Sequence, residues 1–291
     1  MKAAKFDLQV ASTLTQAASQ LLADPFETKL IAGSQSLGPM LNLRLTRPAR
    51  LVDISALGEL RTVTNDNHSL RIGSGVTHAE IEDGVYSALR DHPWRKVAGT
   101  IAYRSVRNRG TIGGSLAHAD PAADWVLAAT AMSAEIEIVK IDSADGLLTA
   151  RTLPMQQFMT AAYTTALESE EIIHAIIVPT SSINARWGYY KFCRKVGEFA
   201  HASCAVYFDD ESATANISIG ALNGPPRLLR ALATDIANSA WGKAPAEQQQ
   251  ASVRQAIAEA IPERDPIDQK MYTTAVLRAL DKAFNSGVAN G

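Results

Sequence analysis

The sequence predicts an α+β protein, and three observations carry that prediction. The first fifty or so residues alternate short apolar runs with helical spacing, in the order strand, turn, helix, strand. The middle of the chain holds paired strand-like runs separated by good hairpin turns. The last third places strands first and three helices afterwards, a serial segregation typical of α+β domains. With 46% apolar and 20% charged residues in 291, the composition is that of a globular protein with a sizeable core.

Each element has a local reason. Ser12 or Thr13 caps a helix through Ala23, with Leu14, Ala17, Ala18, Leu21 and Leu22 on one face. Lys29 to Ala32 reads as a strand, Pro39 to Leu45 as a helix and Arg50 to Ile54 as a second strand. Leu60–Thr64 and Leu70–Gly73 flank Asn65-Asp66-Asn67 as a hairpin, and Thr77 to Leu89 reads as mostly helical. A helix over Asp120–Met132 is expected with Asp120 as its cap and Pro121 in its first turn. Ala134–Ile141 alternates as a strand, Asp142–Gly146 turns into the next, and Glu171–Val178 is an apolar strand closed by Pro179. Trp187–Lys195, Phe199–Tyr207 and Thr214–Ala221 form an antiparallel set, with a turn at Asp209-Asp210-Glu211. After Pro225-Pro226 come helices over Arg227–Asn238, Ala246–Ile261 and Met271–Asn285. These elements divide the chain at 1–57, 58–179 and 180–291.

The inventory excludes several functions. A net charge of −2 shows no basic excess for nucleic acid. No apolar run approaches a transmembrane segment, and Met1–Asp7 lacks the apolar core of a signal peptide, so the cytoplasm is the expected location. Cys193 and Cys204 are too few to hold an iron–sulfur cluster, which normally needs four ligands. No Ser/His/Asp arrangement, no His/Cys metal spacing and no G-x-G-x-x-G after a first strand is present, so no catalytic side chain and no metal ligand is assigned. Arg104, Arg107 and Arg109 read as local anion or partner contacts.

Two glycine-rich turns remain, and they are the most informative features. One is Ile31-Ala32-Gly33-Ser34-Gln35-Ser36-Leu37. The other is Thr111-Ile112-Gly113-Gly114-Ser115-Leu116, continuing to Asp124. Gly packed among Ser and Thr lets backbone N–H groups converge on a pyrophosphate while hydroxyls add donors. Two such turns point to one large diphosphate cofactor gripped from two sides.

The same segments resemble the flavin signatures of the medium, FAD-carrying subunit of the molybdenum hydroxylases. Ala32-Gly33-Ser34-Gln35-Ser36-Leu37-Gly38-Pro39, Arg44-Leu45-Thr46-Arg47-Pro48 and Leu51-Val52-Asp53-Ile54 match the first signature. Arg107 to Asp124 matches the second nearly throughout, and Tyr190 to Ala200 resembles a third block. Order and spacing agree over almost the whole chain.

The resemblance implies a two-lobed FAD-binding fold of the vanillyl-alcohol-oxidase (PCMH) type, followed by a C-terminal antiparallel sheet with helices. It implies non-covalent FAD, since Gln35 stands where some relatives of the wider superfamily carry a nucleophilic histidine. It also implies an electron-transfer subunit of a heterotrimer. The partners would be a large subunit with the molybdopterin cofactor and a small subunit with 2Fe–2S clusters, assembled as a dimer of heterotrimers that serves an external electron acceptor. A self-sufficient flavin oxidase or dehydrogenase, or a flavin-free partner protein, are the other readings.

Residue by residue, the resemblance gives Ala32, Gly33, Ser34, Gln35, Ser36 and Leu37, with Thr111, Gly113, Gly114 and Ser115, to the diphosphate and ribityl chain. Ser34 departs from the usual Gly: it either strains a positive φ or adds a hydroxyl donor. Asp124 is either an acceptor for FAD hydroxyls or a solvated acid at a helix start. Lys191 is either a cation at the flavin ring or a surface lysine. Ile101 and Ile173 either pack on the isoalloxazine or belong to the core. Phe199 either covers the ring's open face or fills a strand core, and His118 is either bonded to backbone or in contact with the cofactor.

Overall fold

Main-chain pairing builds the first sheet more than apolar patterning does. The computed structural model describes residues 2–66, 68–238 and 241–285. The strands β1 (Asp7–Val10), β2 (Thr28–Ile31) and β3 (Arg50–Asp53) lie parallel in the order β1-β3-β2, with the helices α1 (Leu14–Ala23) and α2 (Leu37–Asn42) in the connections. β1 has no counterpart in the sequence reading. It is an edge strand whose Leu8 and Val10 face outward, so it carries no burial pattern. Thr13 caps α1 by accepting from the Gln16 amide, and Leu14, Ala17, Ala18 and Leu21 are buried. α2 begins at Leu37, earlier than expected, and stops before Arg44, whose φ of 58° is left-handed.

The second sheet is antiparallel, in the order Val63–Asn65, Ser69–Gly73, Ile172–Pro179, Glu135–Ile141, Leu148–Pro154. Its first members are β4 (Val63–Asn65) and β5 (Ser69–Gly73); Asn67 of the expected hairpin turn lies outside the described residues. The predicted helix over Thr77–Leu89 is shorter. α3 (His78–Asp83) opens with a Thr77/Glu80 capping box and ends at Gly84, which is left-handed at φ 64°. Three short helices follow that sequence periodicity is too brief to reveal: α4 (Trp94–Gly99), α5 (Arg104–Arg107) and α6 (Ile112–His118).

α7 (Asp124–Ala131) starts four residues later than predicted. Asp120 does not cap it; its Oδ1 accepts from the Ala122 amide at 2.9 Å and holds a turn instead. Every residue of α7 is buried. A helix buried all round shows no amphipathic stripe. The sheet is completed by β6 (Glu135–Ile141), β7 (Leu148–Pro154) and β10 (Ile172–Pro179); the one-turn helix α8 (Met155–Phe158) and the ribbon of β8 (Met159–Ala161) and β9 (Thr164–Thr165) lie between them. β10 bulges between Ile173 and Ala175.

The third sheet runs β11 (Arg186–Phe192), β12 (Ala202–Asp209), β13 (Thr214–Gly220) and β14 (Arg227–Leu228). Arg227 therefore pairs as a strand, and the helix expected there starts at Arg230. The helices α9 (Arg230–Ala237), α10 (Ala246–Ala260) and α11 (Pro266–Asn285) cover one face. Residues 286–291 lie outside the description. β12 is buried on both faces: Cys204, Val206 and Phe208 join the core under the helices, while Ala205 and Tyr207 join the core around α7. The sheet is thus a middle layer, pinned to α7 by Asn216, whose amide donates to Ala131 O and Ser133 Oγ at 2.9 Å each. α11 lies against β11 at Gly188, where a Cβ would sit 1.9 Å from Ala279 O. That layering brings β11 beside α7 and positions the candidate site.

Candidate cofactor-binding site

The first glycine turn leaves β2 at Ile31 and enters α2 at Leu37. Ser34 adopts φ 62°, so the left-handed geometry raised by its departure from Gly is present. The Gln35 side chain donates to Gly33 O at 2.8 Å, and Gly38 N donates to Ser34 O at 3.0 Å, closing the turn. The amides of Gly33, Ser34, Gln35 and Ser36 donate to no protein acceptor among the described residues, nor do the hydroxyls of Ser34 and Ser36. A cluster of such unused donors is the chemistry a diphosphate requires.

Gly33 explains how the two glycine segments meet. A Cβ there would stand 1.9 Å from Arg109 O and 2.8 Å from Gly110 Cα. Only glycine permits this backbone-to-backbone approach, and it seats the first turn directly beside the residues that lead into the second.

The second segment is the first turn of α6 rather than a free turn. Thr111 is its cap, and its Oγ1 accepts from Gly114 N at 3.0 Å. Ile112 N donates to Val76 O, Gly113 N to Ser74 O and Ser115 N to Thr111 O, at 2.9–3.0 Å. These amides are therefore engaged within the protein. What the segment presents outward is the exposed Gly114 and the Ser115 hydroxyl, which has no protein partner among the described residues. Gly113 is pressed on Ser74, where a Cβ would meet the Ser74 Cβ at 2.4 Å. Ser74 N in turn donates to His174 O at 2.9 Å, tying the segment to β10 next to the buried Ile173.

Asp124 and Lys191 come together, although sixty-seven residues separate them. Lys191 Nζ donates to Asp124 Oδ1 at 3.0 Å and to Thr100 O at 3.1 Å. Both side chains are only 6% exposed. A surface lysine and a solvated acid are therefore both ruled out. Thr100 Oγ1 also reaches Asp124, at 3.3 Å, and the Tyr189 hydroxyl donates to Asp124 Oδ1. Burial, then the adjacent Asp124 carboxylate, hold the Tyr189 phenol far above its ordinary pKa, so it stays a donor. Tyr189 and Thr100 were missed in the sequence. Tyr189 had a usable signal, since it lies two before Lys191 and so on the same strand face.

Ile101 is half-buried and forms an isolated bridge with Gly197 of the loop after β11. Gly197 has φ 92°, and a Cβ there would lie 2.6 Å from Ala102 O. Phe199, in the same loop, is 65% exposed, so it is not a strand core residue. Arg107 holds this region from behind, donating to the carbonyls of Ile101 and Ala102 and pairing with Glu82 at 2.7 Å. Arg104 is likewise used internally, on Glu82 and Asp83. Neither is free for an external anion; the exposed Arg109 side chain has no partner among the described residues. The His118 ring lies tilted against that of Tyr163, with centroids 5.3 Å apart.

Comparison with known proteins places the chain in a family. Residues 4–181 match the family described as the FAD binding domain in molybdopterin dehydrogenase. The chain belongs to that family. It is 32% identical to the carbon monoxide dehydrogenase medium chain of Hydrogenophaga pseudoflava, covering 96% of this chain and 97% of that one. It is also 32% identical to the nicotine 6-hydroxylase medium subunit of Paenarthrobacter nicotinovorans, over 71% of each. The solved carbon monoxide dehydrogenase of Hydrogenophaga pseudoflava superposes with a TM-score of 0.87 at 29% identity, covering 98% of this chain and 99% of its counterpart. The α+β, FAD-binding fold expected from the sequence is the one observed, and the chain is a flavoprotein of the oxidoreductase class. Among the described residues no helix is long and apolar enough to cross a membrane, and no group of His, Cys, Asp or Glu is arranged to hold a metal.

Proposed function

We propose that this chain is the FAD-carrying electron-transfer subunit of a heterotrimeric molybdenum hydroxylase. A small partner with 2Fe–2S clusters would deliver electrons, a large molybdopterin partner would carry out substrate oxidation, and an external acceptor would receive the electrons from FAD. A dimer of such heterotrimers in the cytoplasm, and division of this chain at 57/58 and 179/180, belong to the same reading.

The observation that carries it is the contact of Gly33 with Arg109–Gly110, which sets a turn of unused donors beside the start of α6. The donors fit a non-covalent FAD. The Gly33–Ser36 amides and the Ser34, Ser36 and Ser115 hydroxyls would hold its diphosphate and ribityl groups, with Ala32, Leu37, Thr111, Gly113 and Gly114 shaping the backbone around them. Asp124 would accept from FAD hydroxyls, and Lys191, Ile101, Ile173 and Phe199 would flank the ring. Bound FAD supplies a carrier that takes electrons singly and releases them in pairs. The chain's own residues position it, exclude water on the buried side and set the local charge. They include no acid/base pair, which a pure relay does not need.

The test is spectroscopic. The purified chain should show flavin bands, and acid should release FAD into the supernatant. In the co-purified complex, reducing substrate should bleach the flavin only when the iron–sulfur subunit is present. Substrate oxidation by the isolated chain would favour the self-sufficient oxidase; a flavin-free complex would sink the relay.

A further inference from the structure

We infer that Tyr189, Asp124 and Lys191 form a buried clasp that balances the lysine's charge internally, so that the group acts on the flavin as a neutral unit rather than as a free cation. The inference rests on the FAD-relay reading above and deepens it by assigning Tyr189 and Asp124 as positioning residues for Lys191.

The geometry is specific. Lys191 Nζ has the two Asp124 oxygens at 3.0 and 3.3 Å and Thr100 O at 3.1 Å, so its donors are directed at protein acceptors. Asp124 Oδ1 also receives the Tyr189 hydroxyl. Tyr189 and Lys191 alternate on β11, and Asp124 opens α7 on the facing element. The clasp therefore joins the third sheet to the second lobe, and its Thr100 contact fixes the residue before Ile101. A carboxylate paired within a low-dielectric site cancels most of the field of its cation at a distance. Removing one partner of a buried pair leaves a lone charge, whereas removing both does not.

Two measurements on the intact complex test this. The first is the flavin midpoint potential. Lys191→Met should lower it, because the Asp124 charge is left uncompensated, and Asp124→Asn should raise it. The double variant should return close to wild type, and Lys191→Arg should rescue the single loss. Tyr189→Phe should shift the potential downward by less than Lys191→Met, since it weakens the balance without changing net charge. A double variant that stays at the Lys191→Met value would overturn the inference, because Asp124 would then not act at the flavin.

The second is a melting cycle on the chain itself. The double variant Lys191→Met/Asp124→Asn should lose less in Tm than either single one, and the Tyr189→Phe loss should shrink in the Asp124→Asn background. Additive losses would show that the three side chains do not act together. A wild-type complex without flavin is a different outcome: it defeats the function proposed above and is recognised from the spectrum before any variant is made.

Discussion

Replacing Gly33 by alanine is the sharpest perturbation the structure offers. The added carbon would lie 1.9 Å from Arg109 O, 2.5 Å from Arg109 C and 2.8 Å from Gly110 Cα. All three neighbours are backbone, so no rotamer change relieves the overlap and the two glycine segments must move apart. Overpacking in a well-packed interior costs about 1–3 kcal/mol, occasionally more. Backbone overlap this deep belongs at the upper end, about 3 kcal/mol, which corresponds to a Tm loss of roughly 5 °C in a chain of this size. The effect on cofactor should exceed the effect on folding, because moving the turn by an ångström spoils several donor directions at once. The assay is a thermal melt beside the ratio of flavin to protein absorbance. Gly58→Ala serves as the control, since nothing lies within 4 Å of a Cβ there. A Gly33→Ala protein with wild-type Tm and full flavin content would refute both the contact and its role.

Three further outcomes follow from the same structure. Ser34→Gly removes a non-glycine residue from φ 62°, which should gain a few tenths to about 1 kcal/mol after the extra unfolded-state freedom of glycine is subtracted; weaker FAD binding in an isothermal titration despite the higher Tm would identify the hydroxyl as a ligand. Burial drives the pKa of His92 down to about 4, and burial with the nearby Arg107 charge does the same for His78. The unfolded chain, with ordinary values of 6.5, then takes up the extra protons. Their contribution, up to about 3 kcal/mol each, is complete above pH 6.5 and is lost as pH falls towards 4. His92→Asn, whose carbonyl can still accept from Trp94 N, should flatten that pH dependence in urea melts; an unchanged slope would count against a buried neutral His92. Asn216→Ala removes two bonds between β13 and the end of α7 and should cost about 1–3 kcal/mol, a loss that denaturant titration of the chain would measure.

Legibility in the sequence followed the range of the interactions. The first glycine turn, the Thr13 cap and the apolar strands β6, β10 and β13 were readable because each is fixed by neighbours a few residues away. Helix α7 and strand β12 were harder to bound, since both are buried on more than one side and show no clean period. Strand β1 was invisible for the opposite reason: its exposed Leu8 and Val10 leave only backbone pairing to define it.

The sequence by itself determined where Gly and Ser crowd together, at 33–36 and 113–115, because that composition is local. Its two cysteines are fewer than the four ligands an iron–sulfur cluster normally needs. The tertiary structure alone decided how those residues act. Only the approach of Gly33 to Arg109 brings the two separate glycine segments side by side. Only the packing of the third sheet on α7 turns Lys191 and Asp124, either of which could have been solvated, into a buried pair under Tyr189. Such pairings depend on which faces meet across the core, and spacing along the chain does not encode that.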